Sequence, residues 1–114
     1  MNMRKKLNEI RETAIAIITA IMHKAGVDTI CTYDFAGGDS PIVHEDPFDD
    51  NNSYTLDAIK LEEDGSLSFE SSSCMSNTCD SEENLDAELL VGIAEWIQDY
   101  EDEIMEFYTC EVED

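Results

Sequence analysis

The dipeptide Asp64-Gly65 constrains the fold of this chain most, because it separates two short segments with the composition of β-strands. YTLDAIKL precedes it at 54–61, and SLSFES follows at 66–71. Asp-Gly is a preferred pair for a two-residue type I′ turn, in which both residues take positive φ. The sequence therefore predicts an antiparallel hairpin centred on this dipeptide.

In the first strand of this hairpin, the alternation of apolar and polar residues shifts by one position. Tyr54 and Leu56 fall on one side of an ideal strand, whereas Ile59 and Leu61 fall on the other. One extra residue in a strand restores the alternation of side chains. We therefore predict a β-bulge near Asp57 or Ala58.

Two long segments at the ends of the chain have helical period instead. Residues 3–25 place apolar side chains three or four positions apart, and Gly26 supplies a C-terminal stop. A second helix is predicted over about 84–108, with Asn84 or Ser81 as its N-cap. The expected buried stripes are Leu7, Ile10, Ala14, Ile17, Ile21 and Ala25 in the first helix, and Leu89, Ile93, Trp96, Tyr100 and Ile104 in the second.

The remaining segments complete a mixed fold. VDTICTYDF at 27–35 alternates as a strand, with Cys31, Tyr33 and Phe35 on one face. Residues 36–53 and 71–84 are polar and are predicted as connections. The element order is α-β-β-β-α, and the predicted fold class is α+β: a three-stranded antiparallel sheet with two helices packed on one face. A length of 114 residues fits a single small acidic domain.

Charge is the most unusual property of the chain. It has 28 acidic and 6 basic residues, for a formal net charge of −22. The first 24 residues contain five basic and two acidic residues, for a net charge of +3. From Ala25 onward the chain contains one lysine and 26 acidic residues, for a net charge of −25. Such a charge repels nucleic acid and anionic membranes, so we expect a basic protein as partner, no direct nucleic-acid binding and no membrane binding.

The second helix concentrates this charge. EWIQDYEDEIMEFY at 95–108 contains no cation, and Glu95, Asp99, Asp102 and Glu106 fall on one helical face. Consecutive carboxylates of this set stand roughly 5 to 6 Å apart along an ideal helix. That spacing is of the order of the phosphate spacing of a nucleic-acid strand, about 3.4 Å per nucleotide along the axis. We predict these four residues as partner contacts, with Asp49 and Asp50 as a second patch.

Acidic residues near a helix C-terminus lie beside the negative end of the helix dipole, which is unfavourable. Arg4, Lys5 and Lys6 at the start of the first helix lie beside its positive end, which is unfavourable for the same reason. If the two helices pack antiparallel, the basic start of one lies beside the acidic end of the other and the two costs offset. Antiparallel packing is therefore a testable expectation.

Other chemistry receives weaker support from the residues. Asp49, Asn51, Ser53 and Asp57 match some positions of a calcium loop, which makes a divalent-cation module using the acidic 45–57 loop the alternative function. Tyr54 stands where that loop needs glycine, and Lys60 stands where it needs glutamate. No metal site or cofactor is therefore predicted.

Cysteine and histidine chemistry is equally limited. Cys74 and Cys79 are compatible with free thiols or with a disulfide, and zinc would need two further ligands. Neither His23 nor His44 has a nucleophile that the sequence places beside it. No enzymatic activity is expected.

The leading interpretation is thus a non-enzymatic, cytoplasmic acidic module. In charge and size the chain resembles nucleic-acid mimics and immunity-type inhibitors of mobile elements, although no motif is shared. That resemblance implies an inhibitor of a DNA-binding protein. Exposed apolar side chains at Ile42, Val43 and Phe48 would offer a homodimer contact.

Overall fold

A computed structural model describes residues 3–37, 39–46, 49–74 and 76–109, with side chains of 44–46 and 49–52 outside that description. Its fold class is α+β, as the sequence predicts. The elements are α1 (Met3–Ala25), β1 (Thr29–Cys31), α2 (Thr32–Phe35), β2 (Ile42–Asp46), β3 (Asp49–Leu61), β4 (Leu67–Ser72), β5 (Asn77–Ser81), α3 (Ala87–Asp99) and α4 (Glu101–Thr109), with a 3-10 turn at Glu82–Asn84.

The first helix has the predicted bounds. Gly26 takes a φ of +75°, and the amide of Val27 donates to the carbonyl of Met22 at 3.1 Å, which closes the helix end. Its buried residues are Ala14, Ile18, Ile21, Met22 and Ala25. Leu7 and Ile10 were expected in this stripe but are exposed, because the buried residues of the helix begin at Ala14.

The segment 27–35 is a strand only in part. β1 ends at Cys31, and residues 32–35 form the short helix α2. The buried hydroxyl of Thr32 donates to the carbonyl of Leu56 at 3.0 Å, which ties the start of α2 to strand β3. Tyr33 is exposed while Phe35 packs against the core, so the predicted shared face of Cys31, Tyr33 and Phe35 is wrong.

The sheet has five strands rather than the predicted three. The order is β1-β3-β4-β5, and β2 also pairs with β3. β1 and β2 occupy successive stretches of the same edge of β3, since Thr55 pairs with Ile42 on one side and Ser72 on the other. The predicted connections 36–53 and 71–84 therefore contain strands. Backbone pairing stabilises them, β2 against β3 and β5 against β4, although β5 has no alternating apolar side chains.

The predicted hairpin joins β3 and β4. A register shift between Leu56 and Ala58 confirms the bulge. The turn type differs from the prediction, because Gly65 alone takes positive φ, at +91°, while Asp64 does not. The Asp64 carboxylate instead accepts from the amide of Ser66 at 3.0 Å. The turn is longer than two residues, with the Glu62 amide bonded to the Ser66 carbonyl.

The predicted second helix is two helices that meet at Tyr100. The N-cap of α3 is Asp86, whose carboxylate accepts from the amide of Leu89 at 2.8 Å, so neither Asn84 nor Ser81 caps it. The fully buried residues are Leu90, Ile93, Ala94, Ile97 and Ile104. Leu89, Trp96 and Tyr100 are only partly buried, which rotates the buried face away from the predicted stripe.

One apolar core joins the helices to one face of the sheet. Ile18 and Met22 of α1 share a cluster with Ile93 of α3, Ile104 of α4 and Phe69 of β4. The alternate side chains of β3 and β4 are polar, and there Lys60 pairs with Glu70 at 2.6 Å. The helices therefore form one layer and the sheet the other.

The helices α1 and α3 run in the same direction. The Arg11 guanidinium donates to the carbonyl of Glu82, just before α3, at 2.6 Å. The Lys24 ammonium contacts Glu101, just after α3, at 2.8 Å. The expected antiparallel packing is therefore wrong, and Arg4 to Lys6 lie at the end of α1 remote from the acidic end of α4. Within the described ranges, no helix is long and apolar enough to cross a membrane.

Candidate interaction surface on α3 and α4

The four predicted contact residues of the second helix, called the acidic row below, lie on two successive helices. Glu95 and Asp99 lie on α3, Asp102 and Glu106 lie on α4, and all four side chains are exposed. Each pair has the i, i+4 spacing, about 6 Å along its helix. The change of helix at Tyr100 divides the four residues into two pairs on successive helices.

Aromatic residues fix the junction between these two pairs. The rings of Trp96 and Tyr100 lie 5.1 Å apart, and the ring of Phe35 lies 5.4 Å from Trp96. The indole N–H of Trp96 donates to the Asp39 carbonyl at 2.9 Å. The Tyr100 hydroxyl donates to the Asp39 carboxylate at 2.5 Å, which raises the pKa of Tyr100. The segment after α2 thus anchors the helices through aromatic rings that also pack against the core.

A second anchor lies near the end of α4. The Tyr108 hydroxyl donates to the Asp34 carboxylate at 2.8 Å and accepts from the amide of Cys31 at 2.8 Å. Burial raises the pKa of Tyr108, and the hydrogen bond to Asp34 raises it further. Sequence reasoning missed both anchors, because the pairs lie between 57 and 77 residues apart. The polar ends of Tyr and Trp were the only available signal.

Little cationic charge lies against the acidic row. Lys24 contacts Glu101, which raises the pKa of Lys24, and both side chains are substantially exposed. Within residues 3–37, 39–46, 49–74 and 76–109, no salt bridge reaches Glu95, Asp99, Asp102 or Glu106. The carboxylates of the row therefore remain accessible to an outside cation.

The second predicted patch begins strand β3. Asp49 and Asp50 are its first two residues, and Asp49 pairs with Asp46 of β2 in the backbone register. Their side chains lie outside the described residues, so the structure does not place their carboxylates relative to the acidic row. The second patch stays a prediction.

The predicted calcium loop takes an extended conformation in the structure. Residues 49–57 belong to β3, so their backbone is extended. Within the described part of the chain, no group of three or more His, Cys, Asp or Glu residues is placed to hold a metal ion. Cation binding stays a prediction from sequence.

The cysteines give little sign of a nucleophile. Cys31, Cys74 and Cys79 are exposed, and no disulfide joins the cysteines that the structure describes. Burial and Asp34 raise the pKa of the Cys31 thiol, which lowers its thiolate fraction at neutral pH. Cys79 lines a cleft of about 290 Å³ together with Asp57 and Glu70, and the described residues bring no histidine to it.

The residues proposed for a dimer contact have different positions. Ile42 is exposed, Val43 is buried in the core, and Phe48 lies outside the described residues. Val43 is therefore unavailable to a partner in the folded chain.

The chain has no detectable relatives in the comparisons with known proteins. No protein-family model matches it, and neither the curated proteins nor the solved structures include a significant match. A functional proposal must therefore rest on the surface of this chain alone.

Proposed function

We propose that the chain is a non-enzymatic interaction module that binds a basic protein through the acidic row, as a nucleic-acid mimic or inhibitor of a DNA-binding protein. The observation that carries this proposal is the joint exposure of Glu95, Asp99, Asp102 and Glu106 on two anchored helices. Carboxylates at fixed positions complement a basic groove without first losing the freedom of a flexible tail.

Charge supports the same partner class. A net charge of −22 opposes direct contact with nucleic acid and accelerates the approach of a basic protein. Electrostatic steering raises association rates to about 10⁸–10⁹ M⁻¹s⁻¹ at low salt. Binding should therefore weaken steeply as ionic strength rises.

A matched pair of charge reversals tests the role of the acidic row. The test variant carries lysine at Glu95, Asp99, Asp102 and Glu106. The control variant carries lysine at four exposed acids elsewhere, Glu12, Asp28, Glu63 and Glu83. Both variants change the net charge equally, so a difference between them reports position rather than total charge.

The partner is isolated by affinity capture from the native host, and its complex with each variant is then measured with purified proteins. We expect the row variant to weaken binding by about 100-fold or more and the control by much less, since close charge pairs couple strongly at interfaces. The wild-type chain should also compete with duplex DNA for the captured protein. Equal loss in both variants, or no loss in either, would rule out the acidic row as the contact surface.

A further inference from the structure

A groove lies between the start of strand β2 and helix α3. Its volume is about 500 Å³, which is in the range of sites that enclose ligand groups. Its apolar lining includes Pro41, Ile42, Leu89, Gly92, Ile93 and Trp96. Asp86 and Glu88 lie at the end of the groove near the start of α3, and the described residues that line it include no base.

One side of this groove is a free edge of the sheet. Of the strands that the structure describes, β3 alone pairs with β2. Ile42 lies opposite Thr55, and beside this pair the Leu56 amide donates to the Pro41 carbonyl at 3.0 Å. In an antiparallel ladder that bond makes Ile42 part of a non-hydrogen-bonded pair, so its amide and carbonyl point away from β3. No other described residue bonds to these two groups, and the edge is open to a further strand.

The opposite side of the groove has a glycine where the fold does not need one. Gly92 is exposed in the interior of α3, where glycine disfavours a helix relative to alanine. Its φ is not positive, and a Cβ added to it would meet nothing in the chain within 4 Å. Neither backbone conformation nor internal packing therefore requires this glycine. A missing side chain does permit the backbone of another molecule to approach closely.

These observations select the conformation and the charge of the occupant. An extended chain can bond to the amide and carbonyl of Ile42, whereas a helix has already paired its own backbone groups. Asp86, Glu88 and the net charge of −22 favour a basic segment. The same charge disfavours a second copy of this chain, and it disfavours residues 110–114 of the chain itself, three of which are acidic.

We propose that an extended basic segment of a partner protein binds in this groove as an additional strand beside β2. Its backbone bonds to Ile42 and passes close to Gly92. Alternate apolar side chains of the segment contact Leu89 and Trp96, and a basic side chain lies near Glu88. No residue of the acidic row lines the groove, and the site does not rest on the proposed function.

Isothermal titration calorimetry of the purified chain with synthetic peptides tests the proposal. The probes are the acetylated and amidated peptides KTVTVTK, KTLTLTK and KTFTFTK, whose palindromic sequences bring a lysine toward Glu88 in either strand direction. We expect at least one of them to bind with a Kd below about 1 mM at an ionic strength of about 0.15 M. The control peptide KTSTSTK, which lacks apolar side chains, should bind about tenfold or more weakly.

Backbone methylation distinguishes strand addition from the adsorption of any basic apolar peptide. Successive amides of a strand point to opposite sides, so only alternate amides of the peptide face β2. The tightest peptide is therefore N-methylated either at its even-numbered or at its odd-numbered residues. One pattern should weaken binding about tenfold or more, and the other should weaken it much less. Equal loss with both patterns, or no loss with either, overturns strand addition.

Substitutions in the chain locate the site. Ile42→Pro removes the outward amide of β2, while Ile42→Ala removes the same side chain and keeps the amide. Proline is tolerated at an edge position whose amide faces solvent, so Ile42→Pro should fold and should bind about tenfold more weakly than Ile42→Ala. Glu88→Lys should weaken binding about tenfold. Its matched control is Glu63→Lys, at an exposed acid in the turn between β3 and β4.

Gly92→Ala separates binding from stability. Alanine is the better helix former and meets nothing in the chain, so the melting temperature should rise. Peptide binding should nevertheless weaken about threefold or more, and Gly92→Leu should weaken it about tenfold or more, because the new side chain occupies the groove. Circular dichroism confirms that each variant is folded.

Three results overturn the proposal. They are a chain that binds none of the apolar peptides at about 1 mM, a Gly92→Leu chain that binds as tightly as the wild type, and an Ile42→Pro chain that binds as tightly as Ile42→Ala. None of them affects the test of the acidic row, because that test measures a captured basic protein and different variants.

Discussion

Tyr108 illustrates how single residues hold the acidic helices in place. Its hydroxyl connects α4 to Asp34 of α2 and to the amide of Cys31 at the end of β1. Trp96 and Tyr100 connect the junction of α3 and α4 to Asp39 in the same way. Each of these aromatic side chains combines an apolar ring against the protein with a polar group that finds a partner.

Replacement of Tyr108 should change the alkaline stability of the chain. Because the folded-state pKa lies above the ordinary 10.0, the unfolded chain loses the phenolic proton first as the pH rises. The contribution of Tyr108 to the free energy of unfolding is thus complete below pH 10 and is lost as the pH rises through the folded-state pKa. Tyr108→Phe should cost about 1 to 2 kcal/mol at neutral pH and should flatten the alkaline decline.

Urea unfolding across the alkaline range measures both effects. Tyr33→Phe is the matched control, since the Tyr33 side chain is 73% exposed. Tyr100 retains its own raised pKa, so part of the alkaline decline should remain in the Tyr108 variant. An unchanged alkaline slope in Tyr108→Phe would show that this hydroxyl is not the titrating group.

At the scale of elements, the ends of helices decide where the acidic row lies. Asp86 begins α3 through its bond to the Leu89 amide, and the chain changes helix at Tyr100. The amide of Ile104 still bonds to the Tyr100 carbonyl at 2.8 Å, so α4 starts without a connecting loop. The two halves of the row are consequently fixed by one cap and one junction.

Removal of the cap should destabilise α3 and leave the rest of the surface unchanged. Asp86→Ala should lower the free energy of unfolding by about 1 kcal/mol, with about 0.3 to 1 kcal/mol more from the lost charge at the helix start. Asp86→Asn keeps the hydrogen bond and should lose only the charge contribution. Urea unfolding at constant m-value measures the difference.

Asn84→Ala is the control for this series. Asn84 lies in the 3-10 turn, is exposed and does not cap α3. Its replacement should leave stability almost unchanged. A larger loss for Asn84→Ala than for Asp86→Ala would restore the sequence-based choice of cap.

For the whole molecule, charge repulsion opposes the packing of a single modest core. The core draws on every helix of two turns or more and on β1 to β4. Around it lies a surface with a formal charge of −22, and such self-repulsion destabilises the compact state. The compact fold is therefore expected to depend on ionic strength.

Added salt should accordingly stabilise the chain. The melting temperature should rise between about 0.05 M and about 0.5 M sodium chloride as self-repulsion is screened. Calcium chloride at matched ionic strength should have no additional effect; a much larger rise with calcium would instead support the divalent-cation module.

The sequence by itself determined the local features of this protein. The period of residues 3–25, the position of the Asp64-Gly65 turn and the bulge before Ala58 all depend on neighbouring residues. The α+β class follows from those elements, and the exposed carboxylates at Glu95 and Asp99 follow from helical spacing. Such features are encoded locally, because propensity and periodicity act over a few residues.

Only the tertiary structure decided the features that depend on distant partners. β5 is stabilised by its register with β4, although its own residues alternate without apolar side chains. The parallel direction of α1 and α3 follows from contacts at Arg11 and Lys24, which join residues more than 70 positions apart. That packing places Lys24 at the end of α1, rather than the basic start of α1, beside Glu101 at the start of α4, because the backbone and side-chain partners that fix a helix's direction lie outside the helix itself.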